Sequence, residues 1–121
     1  MDLDFANAFA RIWEADWNSH DLERILAHYG EEMVFTSPFA AERLGIEGGV
    51  VRGKQALRAY WAAGLAKLPD LRFEVLSVLL GTDTVVINYR NEQGRSVAEV
   101  LTFRDGLIVS GFAAYGPRPA D

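Results

Sequence analysis

The sequence predicts an α+β fold, with helices in the first half of the chain and a sheet in the second. Near the start, apolar residues recur every three or four positions, which is typical of amphipathic helices. From residue 71 to residue 115, apolar and polar residues alternate in runs separated by turn residues, which favours strands. A chain of 121 residues has the size of one domain. We expect a single domain over residues 1–116 and a tail over residues 117–121.

Two amphipathic helices are predicted at the start of the chain. The apolar stripe of the first helix consists of Phe5, Phe9, Ile12, Trp13 and Trp17. Polar residues interrupt this stripe, and Ser19 or Asp21 can cap a second helix. The buried face of the second helix would consist of Leu22, Ile25 and Leu26. Gly30 would end it, because glycine is favoured just after a helix.

A short strand, an irregular stretch and a third helix follow. Residues 33–37 are predicted to form a strand that Pro38 stops. Residues 39–52 contain three glycines and no clear periodicity, so we expect a loop. A loop of this length is either a lid over a binding site or a surface connection. The third helix would run from Gly53 to Pro69. Its apolar side would consist of Ala56, Leu57, Tyr60, Trp61, Gly64, Leu65 and Leu68.

Four further strands complete the predicted sheet. They cover residues 71–80, 84–90, 96–103 and 107–115. The turns between them are predicted at Gly81-Thr82-Asp83, Glu92-Gln93-Gly94 and Asp105-Gly106. Connections this short make neighbouring strands antiparallel.

The composition excludes several classes of function. The formal net charge is −5 and the basic residues are scattered, which argues against nucleic-acid binding. Without cysteine, the chain has no disulfide, no thiolate metal site and no cysteine nucleophile. No apolar run reaches the ~20 residues that cross a membrane. Acidic residues at positions 2 and 4 differ from the basic start of a signal peptide. We therefore expect a cytoplasmic protein that binds neither nucleic acid nor membranes.

Three stretches of the chain are similar to one protein superfamily. They are Asp21-Leu22 through Tyr29 to Pro38-Phe39, Gly53-Lys54-Gln55-Ala56-Leu57 through Tyr60-Trp61 to Gly64-Leu65, and Glu99-Val100-Leu101-Thr102-Phe103 with Asp105-Gly106. With the order of the elements, they resemble the nuclear transport factor 2-like superfamily over nearly the whole chain. Within it, the chain resembles ketosteroid isomerase-like and SnoaL-like proteins. The resemblance implies a cone-shaped, strongly bent antiparallel or mixed sheet that packs on three helices and encloses a pocket.

The resemblance also implies which residues line that pocket. The proton-shuttling aspartate of the steroid isomerases falls on Ser37, which cannot take a proton from carbon at neutral pH. A tyrosine of their oxyanion hole falls on Trp13, and the protonated aspartate beside it falls on Glu99. Supporting aromatic positions are occupied by Tyr29, Trp61 and Tyr115. The catalytic residues of the steroid isomerases are therefore not retained as a set.

Glu99 is the strongest candidate for chemistry. Alternation along its strand places it on one face with three apolar residues, so we expect a partly desolvated carboxyl with a raised pKa. Such a group can act as a general acid or base. The alternative is a structural ion pair with Arg90. A two-residue turn at Gln93-Gly94 would place Asn88 opposite Glu99 and Arg90 diagonal to it. A shift of one residue would turn both outward.

Histidine and serine chemistry is not predicted. His20 and His28 lie outside the predicted strands, and no spacing of metal ligands accompanies them, so we expect structural roles and no metal site. Ser37 lacks the Gly-x-Ser-x-Gly elbow of a serine nucleophile. It would either contact a ligand or simply end its strand.

These observations predict a SnoaL-like protein that binds a small apolar or aromatic organic ligand. The walls of the site would be Trp13, Tyr29, Phe35, Trp61, Phe103 and Tyr115. Polar contacts would come from Ser37, Asn88, Arg90 and Glu99. If the protein is an enzyme, Glu99 would be the acid or base of an isomerisation, cyclisation or hydration that needs no cofactor. The rival is a non-catalytic binding or assembly module of the same fold.

Two structural observations would separate these alternatives. A cavity of ~300 Å³ or more beside Glu99 would support ligand binding. A filled interior with Glu99 bonded to Arg90 would contradict it. In either case we expect a homodimer through the outer face of the sheet, because an exposed apolar face needs cover. Its contacts would be Val100, Thr102, Ile108, Ser110 and Phe112.

Overall fold

A computed structural model describes residues 1–119 of the chain. The helices of this part are α1 (Leu3–Ser19), α2 (Leu22–Leu26), α3 (Pro38–Leu44) and α4 (Lys54–Lys67). The strands are β1 (Tyr29–Thr36), β2 (Val50–Arg52), β3 (Glu74–Gly81), β4 (Thr84–Arg90), β5 (Ser96–Arg104) and β6 (Leu107–Tyr115). Residues 120 and 121 of the predicted tail lie outside the described residues. None of the described helices has the length and apolar character needed to cross a membrane.

Helix α1 begins at a capped N-terminus and buries one side. The carboxylate of Asp2 accepts a hydrogen bond from the N–H of Phe5 at 2.8 Å, which satisfies an amide that the first turn leaves unpaired. The buried side consists of Ala6, Phe9, Ala10, Trp13, Asp16 and Trp17. Phe5 and Ile12, which the predicted stripe included, are 40% and 49% exposed. The buried stripe is therefore narrower than predicted.

Helix α2 is short and ends before Gly30. The carboxylate of Asp21 caps it by accepting from the N–H groups of Glu23 and Arg24. The C-terminal cap is Ala27, and Gly30 lies inside β1. The prediction that Gly30 ends the helix is wrong, because the chain enters the sheet at Tyr29.

The stretch predicted as a loop over residues 39–52 contains regular structure. It forms α3, a 3-10 turn at Glu47–Gly49 and the short strand β2. Ser37 is the N-cap of α3, and its hydroxyl accepts from the N–H of Phe39 at 3.2 Å. Pro38 occupies the first turn, where its missing N–H costs nothing. Ser37 and Pro38, at which β1 ends, thus also start α3.

The six strands form one mixed sheet in the order β2-β1-β6-β5-β4-β3. Every neighbouring pair is antiparallel except β1 and β6, which are parallel. The sheet does not close into a barrel. The predicted α+β class is confirmed, with one helix more than the three expected.

The turn between β4 and β5 is longer than the predicted two residues. The side-chain oxygen of Asn91 accepts from the N–H groups of Gln93 and Arg95, both at 3.0 Å. This arrangement closes a five-residue turn, after which Ser96 pairs with Arg90. The added residues change the register of the hairpin.

The predicted register of β4 against β5 is therefore wrong by one residue. Glu99 pairs with Ile87, and Asn88 pairs with Ala98. Because side chains alternate between faces, Asn88 and Arg90 lie on the outer face of the sheet, away from Glu99.

A second irregularity concerns β5 and β6. Thr102 pairs with Ser110, but Phe103 pairs with Ile108, so Val109 is an extra residue in β6. Ile108 is therefore fully buried on the inner face. The prediction that Ile108 contacts a second subunit through the outer face is wrong for this reason.

The core lies between the inner face of the sheet and the helices. Its centre is a cluster of aromatic rings, with Trp13 5.0 Å from Tyr89 and Trp17 4.9 Å from Trp61 between ring centroids. Phe73 packs against Trp13, Trp17 and Tyr89 at 4.5–5.5 Å. Beside this cluster, the helices and the sheet diverge and leave space.

Candidate functional site

A cavity opens to solvent beside the aromatic cluster. It is bounded by α3, α4, the α4–β3 connection, the β4–β5 turn and the inner face of the sheet. Its volume is about 130 Å³, so it does not reach the ~300 Å³ that we required from the sequence as support for binding a drug-sized ligand. A space of this size suits a compact ligand or the inner part of a larger one. The residues that surround its inner end are Trp17, Phe35, Ser37, Tyr60, Trp61, Phe73, Tyr89, Glu99 and Tyr115.

Glu99 is the buried ionisable group of this cavity. Strand β5 places it on the inner face, between Ile87 of β4 and Ala113 of β6. The residue is only 7% exposed, and its carboxylate accepts a hydrogen bond from the hydroxyl of Tyr89 at 3.0 Å. Burial raises the pKa of Glu99 to about 8, and the Tyr89 hydrogen bond lowers it only in part. Glu99 is therefore mostly protonated at neutral pH.

Glu99 has no cationic partner among the described residues. Arg90, the expected one, lies on the outer face and pairs with Glu74 at 3.6 Å. Asn88 donates a hydrogen bond to the hydroxyl of Ser77 at 2.9 Å on the same face. The expected contributions of Asn88 and Arg90 to the site are therefore wrong.

Hydroxyl groups lie along one side of the cavity. Ser37 is 1% exposed, and its hydroxyl approaches those of Tyr60 and Tyr115. Burial raises the pKa of both tyrosines, so both remain neutral hydrogen-bond donors at physiological pH. With Tyr89, the cavity thus presents three phenols and one serine close to Glu99.

Aromatic rings form the apolar walls. Trp61 packs edge-on against Phe35 at 5.5 Å and against Trp17 at 4.9 Å, and all three rings line the cavity. Such faces suit a flat apolar ligand. Of these rings, Phe35 and Trp61 were expected from the sequence.

Trp13 and Tyr29 lie behind this wall instead of lining the cavity. Both are 2% exposed, and burial raises the pKa of Tyr29 far above its usual value. The indole N–H groups of Trp13 and Trp17 approach the Tyr29 hydroxyl, but neither reaches hydrogen-bond geometry with a described acceptor. Two buried donors beside the cavity are therefore unsatisfied by the protein.

Phe103 belongs to a different region. It packs against Phe5 and Phe9 at 5.6 Å and 5.1 Å. It borders a surface depression of about 520 Å³, whose ionisable side chains, Asp83, Arg104 and Asp105, are all exposed. This depression is larger than the cavity beside Glu99 but presents no buried ionisable side chain. The expected contribution of Phe103 to the walls of the site is wrong.

The mouth of the cavity carries several charges. Arg43, Lys67 and Glu92 line it. The guanidinium of Arg43 lies 4.9 Å from the ring centroid of Phe39, and that of Arg95 lies 5.8 Å from the same centroid. Sequence reasoning did not identify these residues, because the stretch with Phe39 and Arg43 was predicted to be a loop.

A buried carboxylate away from the cavity was also missed. Asp16 is 5% exposed and contacts Arg24 at 3.0 Å and His28 at 2.7 Å. This cluster joins α1 to α2 and the start of β1. The Nε2 atom of His20 lies 2.8 Å from the backbone oxygen of Leu71. Both histidines thus make contacts within the fold.

No group of three or more histidine, aspartate or glutamate side chains in residues 1–119 is arranged to hold a metal ion. The groups near Glu99 are phenols, a serine and indoles, which bind through hydrogen bonds.

The geometry agrees with comparisons to known proteins. The sequence profile of the SnoaL-like domain matches residues 9–111. The structure of a SnoaL-like protein of unknown function from Burkholderia thailandensis shares 39% sequence identity with this chain, over 96% of this chain and 98% of the other. The TM-score of that pair is 0.93. No functionally curated protein is similar enough to this chain to match it.

More distant structures share the fold. A putative hydroxylase from Streptomyces galilaeus has a TM-score of 0.75 and 24% identity, over 98% of this chain and 79% of the other. TerC, co-crystallised with polyporic acid, has a TM-score of 0.74 and 19% identity, over 92% of both chains. The profile match and the 39%-identical structure are specific evidence of kinship. The chain therefore belongs to the family of SnoaL-like domain proteins, which have the nuclear transport factor 2-like fold.

Proposed function

We propose that this protein binds a small aromatic or apolar organic molecule in the cavity beside Glu99 and transfers a proton to or from it. The observation that carries this proposal is the state of Glu99. Its carboxyl is buried, borders the cavity and has no cationic partner among the described residues, and its pKa is about 8. A carboxyl with a pKa near neutral pH can both give and accept a proton during turnover.

The chemistry follows from that pKa. At neutral pH, protonated Glu99 donates a hydrogen bond to a carbonyl, hydroxyl or epoxide oxygen of the ligand, and can protonate it. The carboxylate that results is a base in a site with little water. Isomerisation and cyclisation can proceed through such proton transfers, and hydration in addition consumes one water molecule, so none of these reactions requires a cofactor.

The size and walls of the cavity support a compact aromatic ligand. About 130 Å³ between Phe35, Trp61 and Phe73 suits about one ring, with any larger part extending through the mouth. Distant structures with this fold include a putative polyketide cyclase from Sinorhizobium meliloti and TerC with polyporic acid. These names are consistent with an aromatic or polycyclic ligand for the fold.

The structural ion pair that was the alternative to chemistry at Glu99 is not formed, because Arg90 pairs with Glu74 at 3.6 Å. The non-catalytic binding or assembly module does not depend on that pair and remains the second candidate. A homodimer through the outer face of the sheet and a cytoplasmic location are further parts of our proposal.

The test of the proposal is Glu99→Gln, assayed against a panel of small ketones and epoxides. Glutamine keeps the size and hydrogen-bonding capacity of the side chain but cannot transfer a proton. We expect the rate on any substrate that the wild type turns over to fall by about 10²–10⁴-fold. The matched control is Glu92→Gln at the cavity mouth, which should keep most of the activity. Full activity in Glu99→Gln would contradict the role of Glu99. Absence of turnover by the wild type across a broad panel would favour the non-catalytic binder.

A further inference from the structure

The cavity mouth is basic although the chain is acidic. Its lining includes Arg43 at the end of α3 and Lys67 at the end of α4, against one acidic neighbour at the mouth, the half-buried Glu92. The chain as a whole has a formal net charge of −5. Positive charge is therefore concentrated among the residues that line the mouth of this cavity.

A third cation strengthens this pattern. The guanidinium of Arg95 lies 5.2 Å from the ring centroid of Tyr115, and those of Arg43 and Arg95 both lie within 6 Å of the centroid of Phe39. Phe39 and Tyr115 pack edge-to-face at 4.5 Å and line the cavity. The two guanidinium groups thus contact the same pair of rings at the mouth.

These cations have no counter-charge in direct contact. Within residues 1–119, no carboxylate lies within salt-bridge distance of Arg43, Lys67 or Arg95. Arg95 is held in place by a hydrogen bond from its Nε to the backbone oxygen of Gly116 at 2.6 Å. Like charges that share one aromatic pair repel each other, and an anion at the mouth would relieve that repulsion.

A simpler explanation covers only part of this arrangement. Arg43 and Lys67 lie in the last turns of their helices, where a cation is favoured by the helix dipole without any ligand. Arg95 lies outside any helix, before β5, and gains nothing from a helix dipole. Its guanidinium is positioned by the hydrogen bond to Gly116 and by the rings of Phe39 and Tyr115, so the proposal rests on Arg43 and Lys67, which line the cavity.

We propose that the ligand of this site is an aromatic acid, whose anionic group remains at the mouth between Arg43 and Lys67. Its apolar body lies between the aromatic walls, and an oxygen at its far end meets Glu99. This inference rests on the proposed function, since it adds a charge requirement to the same site. It assigns Arg43 and Lys67 as residues that determine specificity, without contact to the reacting atoms.

The test compares two probes that differ only in charge. These are 6-hydroxy-2-naphthoate and its neutral amide, 6-hydroxy-2-naphthamide, titrated into the protein by calorimetry at neutral pH and low salt. We expect the wild type to bind the carboxylate roughly three- to tenfold more tightly than the amide. That preference should shrink at about 0.5 M salt, because salt screens exposed charges.

Variants of Arg43 and Lys67 test whether these residues cause the preference for the carboxylate over the amide. Arg43→Met should reduce the preference for the carboxylate, and the double variant with Lys67→Met should abolish it, with little change in amide affinity. The matched control is Arg11→Met on the exposed face of α1, which should bind both probes like the wild type.

The possible failures are distinguishable. If both probes bind equally well to the wild type, or if the double variant keeps the preference, the charge requirement is overturned while the proposed binding function stands. If neither probe binds the wild type, the binding function proposed for this cavity is itself contradicted, and the charge requirement falls with it.

Discussion

Glu99 lies on a strand whose other inward side chains are apolar, and its chemistry follows from that position. Its neighbours across the sheet are Ile87 and Ala113, neither of which can share its charge. Tyr89 supplies one hydrogen bond, which compensates part of the desolvation. The proton on Glu99 is therefore a property of the folded state, and folding and protonation are linked.

This linkage predicts how stability depends on pH. Folding raises the pKa of Glu99 from its usual 4.5 to about 8, so across that interval the folded protein holds a proton that the unfolded chain releases. The free energy of unfolding should therefore fall as pH rises from about 4.5 to about 8. Glu99 contributes up to about 1.4 kcal/mol per pH unit. Urea unfolding of the wild type and Glu99→Gln at several pH values measures this difference.

The glutamine variant isolates the contribution of Glu99 from that of other groups. The free energy of unfolding of the variant should vary less with pH over this interval. Relative to that of the wild type, it should therefore increase as pH rises. Glu92→Gln, at the exposed mouth, should keep the wild-type slope. If the free energies of unfolding of the wild type and of Glu99→Gln changed in parallel with pH, Glu99 would not be the group that holds the proton.

Sequence reasoning correctly placed the residue whose face depends on alternation along its own strand. It misplaced the residues whose face depends on the length of a turn. Alternation along β5 was enough to place Glu99 inside. The positions of Asn88 and Arg90 depended on the length of a turn, and the side chain of Asn91 closes five residues where two were assumed. Asn91 itself was the signal available in the sequence for a longer turn, because asparagine side chains often hydrogen-bond to the backbone of their own turn.

In the segment between β1 and β2, the backbone of Gly49 lies very close to the backbone of Ser37. Gly49 accepts a backbone hydrogen bond from Ser37 at 3.0 Å. A Cβ atom on Gly49 would lie 2.3 Å from the carbonyl oxygen of Ser37. Gly49 also has a φ of +67°, a conformation that favours glycine. Both the close approach and the backbone conformation require a glycine here.

Gly49→Ala should therefore destabilise the protein more than a similar change nearby. Gly45→Ala is the matched control, since Gly45 has a φ of +64° and no atom within 4 Å of its virtual Cβ. We expect Gly45→Ala to cost about 1 kcal/mol through backbone strain. Gly49→Ala should cost about 1–3 kcal/mol more because of the steric overlap. Thermal unfolding of both variants measures the difference, and equal losses would contradict the close approach.

The elements themselves were predictable to different degrees. The bounds of β4 and β6 match the predicted strands, because turn residues mark both ends. Helix α3 was missed because only seven residues form it, between a serine-proline pair and a glycine-rich stretch. Ser37 and Pro38 are favourable as N-cap and first-turn residues, but the same two residues also end a strand. Local sequence alone does not separate these roles.

At the scale of the molecule, the outer face of the sheet carries an apolar row. Leu79, Val86, Val100 and Phe112 are neighbours on four adjacent strands. Leu79 is 56% exposed and Phe112 is 50% exposed. The row contains no charge and crosses strands about 4.8 Å apart, so it forms a continuous stripe. An uncharged stripe can pack against its own copy around a two-fold axis, which is why a second subunit is the occupant we propose.

Phe112→Lys tests this dimer. Two lysines facing each other across a two-fold axis would repel, so we expect this variant to be monomeric where the wild type is dimeric. Sedimentation at several protein concentrations gives the measurement. Ile12→Lys, at a side chain 49% exposed on α1, is the control and should leave the dimer intact. A monomeric wild type, or a dimeric Phe112→Lys protein, would contradict the proposed interface.

The three tryptophans give the cavity a built-in optical signal. Trp13, Trp17 and Trp61 are the full complement of the chain. They form a chain of contacts with ring centroids 6.4 Å and 4.9 Å apart, and two of them border the cavity. Excitation energy passes readily between rings this close, so the tryptophan emission of the protein originates from one cluster that borders the cavity. We expect the intensity and wavelength of that emission to change when a ligand enters the cavity, so binding can be followed without a label.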